Sequence, residues 1–169
     1  ESQPTIVSGR MFVGRRSGVV YALDAKSACV HWTYQADGPV KNSVLVGEAT
    51  VGETKRMVAY FGDLAGNAYA INAHDGSLLW RKRVDDHPAV RIMGSFQLIE
   101  DQLIVPITSL ESTLVAESDA LCCTFRGSVV SYDAGSGEQR WKRYTIDQEP
   151  TKIGKNANGT DIYGPAGAT

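Results

Sequence analysis

The chain has little cysteine. Three cysteines in 169 residues, with no Cys-x-x-Cys spacing, exclude a multi-bridge disulfide framework, a cysteine zinc site and covalent haem attachment. Charge of one sign is lacking too: 17 Lys and Arg against 19 Asp and Glu leave a net charge of −2 and no general electrostatic basis for binding nucleic acid. No apolar run approaches the ~18 residues that a membrane-spanning helix needs, so no membrane span is expected. Glu1-Ser-Gln-Pro4 has neither the basic nor the apolar region of a secretory leader. The expectation is a cytoplasmic chain or one whose leader has been removed. Sustained helical periodicity is missing, which makes helix a minor component. GxSxG, the Walker phosphate loop and HExxH are all absent, and with them the sequence basis for hydrolase chemistry of those types. His31, His74 and His87 are scattered and do not pair at metal-ligand spacing. What remains is globular composition, 43% hydrophobic and 21% charged, with the length of one ordinary domain.

Glycine, at 17 residues, is in excess and it is periodic. Gly18-Val-Val-Tyr-Ala-Leu-Asp24, Gly66-Asn-Ala-Tyr-Ala-Ile-Asn72 and Gly127-Ser-Val-Val-Ser-Tyr-Asp133 are copies of one pattern. Trp32, Trp80 and Trp141 follow Gly18, Gly66 and Gly127 at one constant interval, which uses every tryptophan in the chain. A second glycine precedes the tryptophan in Asp75-Gly76 and Ser136-Gly137, whereas the first copy has Ser27-Ala28. Each copy holds short apolar runs around turn residues, such as Met11-Phe-Val13 and Val19-Val-Tyr-Ala-Leu23 around Arg16-Ser-Gly18. An extra apolar run precedes each hairpin, and four short antiparallel strands per repeat is the pattern of a propeller blade. The spacing therefore predicts an all-β chain with three four-stranded blades near residues 4–34, 41–84 and 94–146. Residues 147–169 are then the connection to a missing next blade. In that scaffold Asp24, Asn72 and Asp133 hold turns through their side chains. Each tryptophan lays its ring on the neighbouring blade while its indole N–H reaches a carbonyl. Cys29 is expected to be a buried apolar residue.

The repeat resembles that of quinoproteins, most closely in Ala70-Ile-Asn72-Ala-His-Asp75-Gly76-Ser-Leu-Leu-Trp80. The resemblance implies an eight-bladed β-propeller with pyrroloquinoline quinone (PQQ) at the centre of one face. Members of the group divide between dehydrogenases and non-catalytic scaffolds, and the repeat alone does not separate the two. Further motifs resemble polyvinyl-alcohol-dehydrogenase-type quinoproteins. They are Val84-Asp-Asp-His-Pro88, Arg91-Ile-Met-Gly94, Pro106-Ile-Thr-Ser-Leu-Glu111, Cys122-Cys-Thr-Phe-Arg-Gly-Ser128 and Gly159-Thr-Asp-Ile-Tyr-Gly-Pro-Ala-Gly-Ala168.

In the third copy the tight turn gives way to a longer stretch, Ser109 to Leu121, ending in Cys122-Cys123. On spacing alone adjacent cysteines favour two reduced thiols, because neighbouring Cα atoms lie only ~3.8 Å apart, closer than ordinary disulfides prefer. The resemblance implies instead a vicinal disulfide packed on one face of the quinone, and with it an oxidising, periplasmic or secreted location. It also implies that Arg126 meets a carboxylate or carbonyl oxygen of the quinone, a role its planar fork suits; a blade-edge ion pair is the alternative. Gly164, Ala166, Gly167 and Ala168 become the small residues that let an anionic cofactor approach main-chain N–H groups. Glu111 becomes the candidate ligand for Ca²⁺. His87 is an outside candidate for the site. The implied partners are an alcohol substrate and an electron acceptor such as a cytochrome c. The family's catalytic aspartate has no match here, and self-association through open blade edges is a further expectation.

Overall fold

The computed structural model describes residues 2–114 and 122–167. Its strands form three four-stranded antiparallel units. The first sheet runs in order through β1 (Thr5–Val7), β2 (Arg10–Gly14), β3 (Val19–Asp24) and β4 (Val30–Gln35). The second runs through β5 (Leu45–Val51), β6 (Thr54–Gly62), β7 (Asn67–Asn72) and β8 (Leu78–Arg83). A short strand, β9 (Val90–Arg91), then pairs with the far end of β11. The third sheet is β10 (Gln97–Ile99), β11 (Gln102–Ser109), β12 (Ser128–Asp133) and β13 (Gln139–Tyr144). One helical turn, α1 (Glu111–Leu114), directly follows β11. The segment expected to be a connection folds further: β14 (Thr151–Lys155) and β15 (Asp161–Gly164) make a hairpin.

The three sheets repeat one set of main-chain bonds. Ala28, Gly76 and Gly137 each donate their N–H to the carbonyl of Asp24, Asn72 and Asp133. Asp24 Oδ1 also accepts the N–H of Ser27 at 2.8 Å, and Asp133 Oδ1 that of Ser136 at 2.8 Å. The turn side chains therefore act as their sequence pattern implies. A register shift recurs between the third and fourth strands of every sheet, just before the tryptophan's partner strand turns.

Two cores lie between the sheets. Strand alternation assigns residues to them: Ala59, Phe61, Tyr69 and Ile71 of the second sheet face the first. Their neighbours Val58, Tyr60, Ala68 and Ala70 face the third. The middle sheet is thus buried on both faces, which explains the unbroken apolar run Val58-Ala-Tyr-Phe61 in its second strand. Trp32 Nε1 donates to Ala73 O at 3.2 Å and Trp80 Nε1 to Ala134 O at 3.0 Å, each tying its sheet to the next. Gly76 and Gly137, both at positive φ, lie under those indoles. A Cβ on either would come within 2.8 or 2.7 Å of ring carbon Cδ2, so bare main chain is needed for the rings to seat. Trp141 occupies the equivalent place on β13 and remains 39% exposed. Cys29 is exposed rather than buried, because it closes the turn between β3 and β4, where the equivalent Ser77 and Glu138 of the other sheets are exposed as well.

Candidate functional site

The candidate site grows from the interruption in the third sheet. β11 ends at Ser109, and the turn α1 places Glu111 immediately behind it with its side chain nearly buried, 8% exposed. The chain next described begins at Cys122, which is bonded to Cys123. Both cysteines are half-buried. The pair leads through Thr124, Phe125 and Arg126 into β12.

Two elements clamp this cysteine segment. On one side lies β15, with Tyr163 N–H donating to Cys122 O at 2.8 Å and Cys123 N–H to Tyr163 O at 3.5 Å. The chain beyond β15 continues parallel to the segment: Gly127 N–H donates to Gly167 O at 2.8 Å, and Gly167 N–H to Phe125 O at 3.3 Å. Gly164, Ala166 and Gly167 are thereby brought beside Cys122, Cys123 and Arg126, although the two stretches are far apart in sequence. Ala168 lies outside the described residues.

On the other side stands Glu111. Its Oε2 accepts the Phe125 N–H at 2.7 Å, and its Oε1 accepts the Thr124 N–H at 2.9 Å and the Thr124 hydroxyl at 3.1 Å. His87, on the loop between β8 and β9, completes the brace: Nε2 lies 2.9 Å from Thr124 Oγ1 and 3.5 Å from Glu111 Oε1. Its Nδ1 accepts the Ala89 N–H at 3.1 Å, which fixes the neutral ring with its proton on Nε2. Phe125 packs edge-on against that ring at 5.3 Å. In the sequence His87 is only an outside candidate because its ring's partners come from residues distant in the chain; the nearby Asp85, whose carboxylate accepts the His87 main-chain N–H at 2.8 Å, is the available signal.

The geometry suits Glu111 poorly as a Ca²⁺ ligand. Three donors already converge on its two oxygens, whereas calcium gathers several oxygen ligands. Among the described residues no group of three His, Cys, Asp or Glu is placed to hold a metal ion. Arg126 lies over the Tyr144 ring at 3.8 Å, donates to Asp147 O at 3.0 Å and pairs with Glu149 at 3.0 Å. Its side chain is 13% exposed and that of Glu149 is 83% exposed. Below the site, Lys142 joins Asp85. Burial pushes the Asp85 carboxyl upward, but the Lys142 ammonium and the His87 amide outweigh it and hold the group below its ordinary value. Ser128 Oγ is buried without a hydrogen-bond partner among the described residues, a donor left unspent beside the site.

Stacked four-stranded sheets locked by tryptophans, with a bonded cysteine pair set into the third, define a β-propeller of the quinoprotein type. The chain belongs to the PQQ-repeat family described as "Outer membrane protein assembly factor BamB", which matches residues 1–162. It is 38% identical over 99% of its length to a polyvinylalcohol dehydrogenase of a Pseudomonas species. It is 36% identical over 98% of its length to a polyvinylalcohol dehydrogenase of a Sphingopyxis species. The chain spans 26% and 25% of those two relatives, about a quarter of each. Among solved structures, the quinohemoprotein alcohol dehydrogenase ADHIIG of Pseudomonas putida superimposes with a TM-score of 0.71 at 23% identity. That superposition covers 94% of this chain and 22% of that one, and at such identity it is a likeness of fold.

Proposed function

We propose that this chain is the part of a PQQ-dependent alcohol dehydrogenase that supplies the vicinal-disulfide side of the cofactor pocket, in a ring of eight blades when complete. One observation carries the proposal: the bonded Cys122–Cys123 pair is half-buried and lies beside the small residues Gly164, Ala166 and Gly167. A compact, uncharged pair of sulfurs offers a surface on which a flat conjugated ring can lie. The names of the relatives support the same reading. When bound, the quinone supplies the redox chemistry of alcohol oxidation.

The chain's own residues bind and orient. Cys122 and Cys123 would cover one face of the ring and keep water from it. Arg126 is already oriented by Tyr144 and Asp147, and its exposed partner Glu149 is weakly held. Its guanidinium fork would hold a carboxylate of the cofactor in that partner's place. Gly164, Ala166 and Gly167 would let the cofactor approach main chain closely. The resemblance implies Ca²⁺ beside the quinone, but Glu111 fits that part poorly, so we assign the metal's ligands to other blades. Partners are an alcohol and an electron acceptor such as a cytochrome c. The other blades of the ring cover the open sheet edges and Trp141; self-association is the alternative cover. The disulfide favours a periplasmic or secreted location. Among the described residues no helix is long and apolar enough to cross a membrane.

The experiment is dye-linked alcohol oxidation by the protein at its natural length, with quinone and Ca²⁺, compared with its Cys122→Ala/Cys123→Ala form. Quinone-dependent turnover, lost in the double variant, is expected. A second reading, a scaffold propeller without cofactor, is favoured by the fact that Arg126 already has partners within the chain. Turnover that is absent, or indifferent to both quinone and cysteines, selects it.

A further inference from the structure

The brace behind the cysteine pair is more elaborate than a turn requires. Glu111 is a buried acid, 6% exposed, and the described structure places no lysine or arginine on it. Burying a carboxylate without a cation is costly unless hydrogen bonds replace its water. Here the replacements are two successive main-chain N–H groups, those of Thr124 and Phe125, which immediately follow the disulfide. The Thr124 hydroxyl is oriented as well. His87 presents Nε2–H to Thr124 Oγ1, because its Nδ1 is occupied by the Ala89 N–H, and the hydroxyl proton therefore turns toward Glu111. The order of donors is fixed from Ala89 through His87 and Thr124 to the carboxylate. Its four members come from the loop before β9, the turn after β11 and the cysteine segment itself.

We infer that Glu111 is a positioning residue: its carboxylate, with the His87–Thr124 link, sets the orientation in which the Cys122–Cys123 pair is offered to a flat ligand. The ligand's being PQQ rests on the function proposed above; the positioning of the pair does not. Glu111→Gln keeps the shape but turns one acceptor into an NH₂ donor facing the donors of Thr124 and Phe125. The segment must then shift or lose a bond to a charged acceptor, a class of bond whose loss corresponds to roughly tenfold or more in an equilibrium constant. Thr124→Val cuts only the hydroxyl link and leaves both main-chain bonds, so its effect is smaller and the fold is retained.

The test uses the protein at its natural length and has two arms. Without quinone, the rate at which dithiothreitol opens the Cys122–Cys123 bond is measured by thiol labelling, alongside the melting curve. With quinone, its dissociation constant and the absorption band of the bound form are measured. For Glu111→Gln we expect reduction faster by about tenfold, binding weaker by about tenfold and a displaced band. Thr124→Val is expected to move the same readouts in the same direction, by about two- to fivefold, with its melting curve preserved. If Glu111→Gln does not fold, Thr124→Val alone decides. Unchanged reduction rates in the folded variants overturn the inference. Failure of the parent protein to bind quinone overturns the proposed function instead, while the reduction arm still judges the brace.

Discussion

Ala28 sits at φ 59°, in the turn where the later sheets place Gly76 at φ 78° and Gly137 at φ 71°. The left-handed region costs an L-residue about 1–2 kcal/mol. Ala28→Gly is therefore expected to stabilise the protein by up to about 1 kcal/mol, part of the gain being offset by the freer unfolded chain. A urea midpoint that stays put or falls contradicts this. The reverse change, Gly137→Ala, sets a Cβ 2.7 Å from the Trp80 ring and strains the backbone as well. It should lower stability by about 1–3 kcal/mol, measured in the same way, and a neutral result would disprove the close seating of the indole. Single residues were unevenly legible in the sequence. The docking tryptophans announce themselves by constant spacing. Exposure of Cys29 does not, because a cysteine between a turn and a strand reads the same whether it falls in the turn or in the strand. Nor does the role of Glu111, whose three donors belong to a segment joined to it only by the fold.

At the scale of elements, strands and sheets followed from alternation and turn chemistry, while the docking of β15 against the cysteine segment did not. That contact is made by main-chain bonds of Tyr163 and Gly167, and main-chain bonds leave no side-chain signature in a sequence. A tie with a clearer signature joins β13 to the loop after β8, where Lys142 pairs with Asp85 and also reaches Val84 O. The Asp85 carboxyl is held below its ordinary value in the folded protein. Its contribution to stability is therefore complete above the unfolded value and is lost as pH falls through the lower folded value. Melting temperature should drop with acidification in that window, and Lys142→Met should flatten the drop while lowering stability at neutral pH by about 1–2 kcal/mol. Thermal melts of both proteins from roughly pH 2 to pH 7 check this. An acid limb equally steep in the variant would assign the effect to other carboxylates.

Over the whole molecule, each sheet is completed by the next. Trp32 and Trp80 are capped by the following sheet, and among the described residues the middle sheet alone is buried on both faces. Docking of the β15 segment brings the 164–167 stretch and the interrupted turn of the third sheet to one place, so the site draws on more than one sheet. The proposed function rests on Cys122 and Cys123 forming one side of a quinone pocket. Its most direct test is equilibrium titration of the protein at natural length with PQQ, followed by absorbance, before and after selective reduction and alkylation of the pair. Saturable binding by the oxidised protein is expected, weakened by about tenfold or more once the bond is opened, with the melting curve retained. Binding of equal strength in both forms, or none in either, would contradict it.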